Sequence, residues 1–327
     1  MTRRSFLRAA CAAALPTTLG LPALAQPPAA GTWPSRPLRV IVPFGAGSGN
    51  DLVARLVGDH LARALGQPVV VDNRAGANGS IGADAVARSA PDGYTLFVTT
   101  NTTQAANPAL MKKLSYDPVK DFAPVGRIAN TPAMLVVRSS LPVRTLQELI
   151  ALAKARPGQL TYASGSAGTL VPGAMLTHQA GIDMLHVPYK TIPLALNDVV
   201  AGQVDMMFTD MATGTPQVRG GKVRALGVSS LQPVAALPDV PPIGATLPGF
   251  ELQAWYAMYV PAGTPAPIIE RLNREIRAAV GSAALRERFA ALGLQPVTSS
   301  PQELADFGRS ELTRWGQLIR SAGIEPE

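Results

Sequence analysis

The 327-residue sequence has few of the side chains on which much protein chemistry depends. It contains one cysteine, three histidines and only 5% aromatic residues. The cysteine, Cys11, lies in an apolar N-terminal stretch, so disulfides, cysteine nucleophiles and thiolate metal sites are not expected in the rest of the chain. The histidines, His60, His178 and His186, fall on separate predicted elements without metal-site spacing. We therefore predict no bound metal.

Charge is also scarce, because Asp, Glu, Lys and Arg together make up 16% of the chain. The formal net charge is +7, and Arg3, Arg4 and Arg8 contribute three of these charges, which leaves +4 on the rest. Without basic runs or many aromatic rings to stack on bases, the sequence does not predict a nucleic-acid partner. The apolar content of 47% is enough for two cores of typical domain size.

The N-terminus has the features of an export signal. A twin arginine at positions 3 and 4 precedes an apolar stretch that runs to about Leu24, and positions 23–25 have the small, any, small pattern of a cleavage site. We predict a cleaved signal peptide over residues 1–25 that uses the twin-arginine export route, and hence a periplasmic location. The alternative is a membrane anchor, but Pro16 and Pro22 interrupt a run that is shorter than the roughly 20 apolar residues of a spanning helix.

After this leader, short apolar runs alternate with segments of helical spacing. Leu38 to Val42 predicts a strand, and a helix capped by Asn50 or Asp51 follows and ends at Gly66. Further strands are predicted over 69–71 and 94–99, with Ser80 as the cap of a helix over 81–89. This βαβαβ order indicates an α/β fold with a parallel sheet covered on both faces.

A second α/β unit begins near Ala133. Thr145 and Glu148 form a capping-box pattern at the start of a helix that ends near Ala155. The remaining predicted strands cover 133–137, 160–164, 184–187, 204–208, 223–228 and 252–260, and the remaining helices cover 174–179, 193–201, 267–280, 284–292 and 301–319.

Three loops rich in glycine and serine, at 45–49, 76–80 and 164–169, each precede a predicted helix. Such loops present unpaired N–H groups at the positive end of a helix dipole, which suits a small anion such as a carboxylate. In open α/β sheets they lie at the carboxyl ends of strands, so two facing sheets would direct them into one cleft. The alternative is that these glycines only make tight turns.

The first loop also partly matches the glycine fingerprint of a dinucleotide-binding site. Gly45 and Gly47 match its first two glycines and Asp72 ends the next strand, but the sixth position is Asn50. A cofactor-binding, exported oxidoreductase therefore remains an alternative.

Support for catalysis is weak elsewhere. Ser48 and Ser166 lack the flanking glycines of a nucleophile elbow. Asp205 and Asp210 flank the end of a strand, where a helix cap with one ligand-facing group is favoured over a carboxylate pair.

Several separate motifs resemble, in the same order, those of the Bug receptors, the substrate-binding components of tripartite tricarboxylate transporters. They are Pro43-Phe44-Gly45-Ala46-Gly47 with Asp51, Pro91-Asp92-Gly93-Tyr94-Thr95-Leu96, Tyr116-Asp117-Pro118, Tyr162-Ala163-Ser164, His186-Val187-Pro188-Tyr189-Lys190 and Pro261-Ala262-Gly263-Thr264-Pro265. The resemblance implies a type II periplasmic-binding fold with two lobes, no enzymatic activity and no cofactor. It also implies a small carboxylate as ligand, either a di- or tricarboxylate, an acidic amino acid or an aromatic carboxylate, and a membrane permease or sensor as a possible partner.

By position, the resemblance places lobe 1 at 32–130 and 253–327 and lobe 2 at 131–252. Thr191 and the apolar stretch Leu170 to Met175 depart from the family pattern, and the second departure suggests an apolar pocket wall that suits a hydrophobic carboxylate. The predicted ligand-binding residues, from the loops and the resemblance together, are Phe44, Gly45, Ala46, Gly47, Ser48, Ser80, Ile81, Thr100, Ser164, Gly165, Ser166, Gly168, Thr169 and Asp210.

Overall fold

The computed structural model describes residues 33–327, so the predicted signal peptide lies outside the described residues. The strands are β1 Leu38–Val42, β2 Val69–Asn73, β3 Thr95–Thr100, β4 Phe122–Arg138, β5 Thr161–Ser164, β6 Leu185–Pro188, β7 Met206–Asp210, β8 Val223–Val228, β9 Gln253–Pro261 and β10 Gln295–Pro296. The helices are α1 Gly49–Leu65, α2 Ser80–Ala87, α3 Asn107–Leu110, α4 Leu146–Ala155, α5 Ala167–Ala180, α6 Ile192–Val200, α7 Met211–Arg219, α8 Ala266–Gly281, α9 Ala283–Ala291 and α10 Pro301–Ser321.

The first lobe is built on a sheet with the order β2-β1-β3-β9-β4. β1 pairs in parallel with β2 and β3, as the βαβαβ pattern predicts, and β9 then pairs antiparallel with β3 and β4. The second lobe continues from β4 through β7 and β5 to the edge strand β6, and β5 is parallel to both of its neighbours. The result is the two-lobed α/β architecture that the sequence indicated.

β4 connects the lobes, because its pairing partner changes along its 17 residues. Up to Pro132 it pairs with β9, and from Ala133 onward it pairs with β7 and β8. The hydroxyl of Ser229 lies at this crossing, where it accepts a bond of 2.8 Å from the Ala133 N–H and donates a bond of 2.6 Å to the Leu252 carbonyl. The buried Ser229 side chain therefore joins β4 to the segment before β9, the two places where the chain passes between the lobes.

Several local predictions need correction. Ser48 caps α1, and Gly79 rather than Ser80 precedes α2. β4 begins eleven residues before the predicted strand, because Pro124 and Pro132 are not typical of a strand although their segment pairs with β9. A π-helical turn, Thr102–Ala106, and α3 were not predicted at all. α5 begins at Ala167, earlier than expected, and continues through Pro172.

One apolar cluster extends from the first lobe into the second, so the lobes are closely packed. In the first lobe, α10 is attached to β9 through Glu311. The Glu311 carboxylate is 3% exposed and accepts bonds from the indole N–H groups of Trp255, at 2.8 Å, and Trp315, at 3.0 Å. Within residues 33–327, no helix combines the length and apolar character that crossing a bilayer requires.

Candidate functional site

A small cavity of about 40 Å³ lies between the lobes, at the carboxyl ends of β1, β3, β5 and β7. We call it the inner cavity. Its wall combines a few apolar side chains with many short polar ones, and no Lys, Arg or His of the described chain contributes to it. The lining residues are Phe44, Ser48, Gly49, Asn50, Thr100, Asn101, Thr102, Thr131, Pro132, Ala133, Ser166, Gly168, Thr169, Ile192, Asp210, Ala254 and Tyr256.

The N-terminus of α5 faces this cavity. The Thr169 hydroxyl accepts bonds from the N–H groups of Gly165, at 2.9 Å, and Ser166, at 3.2 Å, and so shapes the turn. The first helical amides, those of Ala167 and Gly168, have no acceptor within the helix. Since α5 has 14 residues, these amides carry the positive end of a full helix dipole.

Three polar side chains in the wall have an atom without a hydrogen-bond partner. These atoms are Asn50 Oδ1, Asn101 Nδ2 and Thr102 Oγ1. Asn101 and Thr102 are fully buried and Asn50 is 3% exposed. Buried polar groups are normally paired, so three unpaired ones around a single cavity indicate that a guest completes their hydrogen bonding.

The first glycine-rich loop presents fewer free amides than its sequence suggests, because the protein uses most of them. The Gly47 N–H donates to Asp51 Oδ2 at 3.0 Å, and the Ser48 N–H donates to the Gly45 carbonyl at 3.2 Å. Burial raises the pKa of Asp51, but hydrogen bonds from Arg55, Gly47 and Asn73 outweigh it, so the net pKa is lowered. The charged Asp51 carboxylate thus stabilises the conformation of the loop.

Among residues 33–327, Asp210 is the one acidic side chain in the wall of the inner cavity. It caps α7 through a bond of 2.8 Å from the Thr213 N–H, and it also accepts from the Gly49 N–H across the lobes. Burial raises the pKa of this carboxyl, and the bonds from Thr213 and Gly49 oppose the shift. Burial likewise raises the pKa of the neighbouring Tyr256, and the charge of Asp210 adds to the effect.

We expect Thr169→Val to lower the free energy of unfolding by about 2 kcal/mol, because valine keeps the shape but leaves two buried amides unpaired. Urea denaturation measures this. Thr169→Ser retains the hydroxyl and is the matched control, with an expected loss below about 1 kcal/mol. An equal loss of unfolding free energy in the two variants would show that the Thr169 hydroxyl does not stabilise the turn.

A second, larger space of about 710 Å³, the outer crevice, lies next to the inner cavity, and Ser166 borders both. Its second-lobe wall carries His186, whose ring stacks on Tyr162 and whose Nε2 lies 2.8 Å from Ser164 Oγ. Its first-lobe wall includes the acidic C-terminal residues Glu325 and Glu327.

The structure distributes the predicted binding residues over several places. Ser164 and Gly165 border only the outer crevice, and Ala46 and Gly47 are exposed. Gly45 packs against Thr191, while Ser80 and Ile81 lie outside both spaces. Those that line the inner cavity are Phe44, Ser48, Thr100, Ser166, Gly168, Thr169 and Asp210.

Sequence reasoning missed several residues of the wall. Asn101 and Thr102 directly follow β3, so the rule that loops at strand ends form the site could have included them. Thr131 and Tyr256 could not be found this way, since they lie on the crossing strands β4 and β9.

Of the apolar stretch 170–175, only Leu170 borders either space, and it borders the outer crevice. Val171, Ala174 and Met175 are buried in the apolar cluster. The apolar side chains of residues 170–175 therefore pack in the core and do not form the wall of the inner cavity.

The position of the inner cavity, between two lobes and at the ends of parallel strands, is that of a ligand site in a bilobal binding protein. The family model of the tripartite tricarboxylate transporter family receptor matches residues 53–324. The chain belongs to this receptor family.

Individual relatives agree with this assignment. Protein BugT of Bordetella pertussis is 37% identical over 308 residues, which cover 92% of this chain and 94% of BugT. The solved structure of the periplasmic binding protein BugD has a TM-score of 0.86 and 33% identity and covers 90% of this receptor and 100% of that chain. The structure of R. palustris Rpa4515 with adipate has a TM-score of 0.88 and 33% identity, and it covers 90% of this receptor and 100% of that chain. The receptor is thus a solute-binding protein with the type II periplasmic-binding fold.

Proposed function

We propose that this receptor binds a small carboxylate in the inner cavity and closes its two lobes around it. The observation that carries the proposal is the convergence of unpaired donors on one buried space. The amides of Ala167 and Gly168 and the free polar atoms of Asn101 and Thr102 all belong to residues at the starts of helical segments. Neutral donors and a helix dipole can stabilise an anion without a cationic side chain.

Closure is supported by direct contacts between the lobes. Gly45 and Gly49 of the first lobe lie so close to Thr191 and Asp210 of the second that an added Cβ would approach their side chains to 2.7 and 2.5 Å. The change of partners along β4 supports a lobe 1 of 32–130 with 253–327 and a lobe 2 of 131–252. Ligand contacts with both lobes offset the entropy that closure costs.

Residues 1–25 act as the export signal in this proposal, and the mature receptor delivers its ligand to a membrane permease or a sensor. No cofactor is required. N-terminal sequencing of protein recovered from the periplasm checks the cleavage site, and the first residue is expected to be Gln26.

Calorimetry with a panel of mono-, di- and tricarboxylates tests the binding itself. We expect at least one carboxylate to bind and, at saturation, to raise the free energy of unfolding by several kcal/mol. Small-angle scattering should then show a smaller radius of gyration with that carboxylate than without it. Absence of binding across the panel would refute the proposal, while binding without compaction would refute closure alone.

A further inference from the structure

We propose that the inner cavity selects carboxylates that carry a hydroxyl or ammonium group next to the bound carboxylate, and that Asn50 Oδ1 reads this group. The inference rests on the proposed function and specifies its ligand. It goes beyond the loops and the resemblance, neither of which assigned Asn50 a contact with the ligand.

The orientation of the Asn50 amide is fixed by its other contact. Its Nδ2 donates a bond of 2.6 Å to the carbonyl of Val98 on β3. A backbone carbonyl only accepts, so the opposite orientation would place two acceptors against each other. Oδ1 is therefore the atom left without a partner, and it is a pure acceptor.

Asn50 is also held rigidly in the wall. It is the second residue of α1, it is 3% exposed, and its bond to Val98 joins the helix to the sheet behind it. A buried acceptor in a fixed position that lacks a donor costs free energy, which a bound group with an O–H or N–H can recover.

The wall of the inner cavity therefore has two kinds of polar group. The Gly168 amide, Asn101 Nδ2 and the Thr102 hydroxyl can donate to a carboxylate, whereas Asn50 Oδ1 can only accept. The Asp210 carboxylate in the same wall adds to the acceptor character. A ligand with only carboxylate oxygens satisfies the first kind and leaves Asn50 unpaired. A hydroxy or amino acid satisfies both.

The test uses matched ligands in calorimetry. For chain lengths of four, five and six carbons, the probes are the unsubstituted dicarboxylate and its 2-hydroxy, 2-amino and 2-methyl derivatives, together with the corresponding monocarboxylates. At the best-binding length we expect the 2-hydroxy or 2-amino acid to bind at least about tenfold more tightly than the unsubstituted and 2-methyl acids, because a site built for a donor rejects analogues without one.

Asn50→Leu should reduce this ratio to about one, whereas the same change at the exposed Asn197 on α6 should leave it unchanged. Asn50→Asp provides an independent check, because it retains the acceptor, adds charge and replaces only the donor to Val98 with a second oxygen. We expect it to increase the preference for the 2-amino over the 2-hydroxy acid. Circular dichroism verifies that each variant is folded.

Two results would overturn the inference. One is wild-type affinity for the unsubstituted acid within about twofold of its hydroxy and amino derivatives, as expected if water completes the bond to Asn50. The other is an unchanged ratio in both folded Asn50 variants. Either result leaves carboxylate binding intact, whereas failure of every carboxylate to bind would refute the proposed function.

Discussion

Gly49→Ala should weaken binding of the tightest-binding carboxylate by about 100-fold, which corresponds to an overpacking cost of ~3 kcal/mol. The added methyl carbon would lie 2.5 Å from both Asp210 Oδ1 and the Tyr256 hydroxyl. Asp210 cannot yield easily, because the Thr213 N–H, which forms the cap of α7, and the Thr213 hydroxyl both donate to it. The variant therefore keeps the lobes apart in the region where the ligand must contact both. Calorimetry measures the loss, and scattering should show an extended shape at saturating carboxylate.

Gly281→Ala is the matched control, because a methyl group at Gly281 would meet no atom within 4 Å. It should bind as the wild type does. The free energy of unfolding of Gly49→Ala without ligand should fall by about 1–3 kcal/mol, because the methyl group also meets the hydroxyl of Tyr256, which belongs to the same lobe. Wild-type affinity in Gly49→Ala would mean that binding does not require this contact between the lobes.

Glu311→Ala should lower the free energy of unfolding by about 4 kcal/mol. The substitution removes the shared acceptor of two buried indole N–H groups, those of Trp255 and Trp315, and leaves a void beside them. The Arg127 guanidinium, 3.8 Å from the ring centre of Phe307, lies in the same region and depends on the position of α10. Urea denaturation followed by tryptophan fluorescence reports both the stability and the environment of these indoles.

Glu311→Gln preserves one carbonyl acceptor and should cost less than half as much as Glu311→Ala. The exposed Glu287 on α9 provides the matched comparison, and Glu287→Ala should change stability by less than about 0.5 kcal/mol. If Glu311→Ala were no more harmful than Glu287→Ala, the indole bonds would not stabilise the attachment of α10.

Much of the local structure follows from the sequence because its signals are local. The bounds of β8 and α4 agree with prediction at nearly every residue, since an apolar run and a Thr145 cap mark them. Most of β4 was not predicted, because no local signal marks it. Its partners β7, β8 and β9 are distant in sequence, and its prolines are typical of a loop.

The sequence by itself determined the α/β class, the two units and the loops at strand ends, because hydrophobic periodicity, caps and glycine are properties of neighbouring residues. Only the tertiary structure decided which amides remain free. Asp51 and Asp210 accept the amides of Gly47 and Gly49 in the first loop, while the first amides of α5 and the atoms Asn50 Oδ1, Asn101 Nδ2 and Thr102 Oγ1 stay unpaired. Hydrogen-bond pairing depends on which groups meet across the lobes, and no local pattern encodes that.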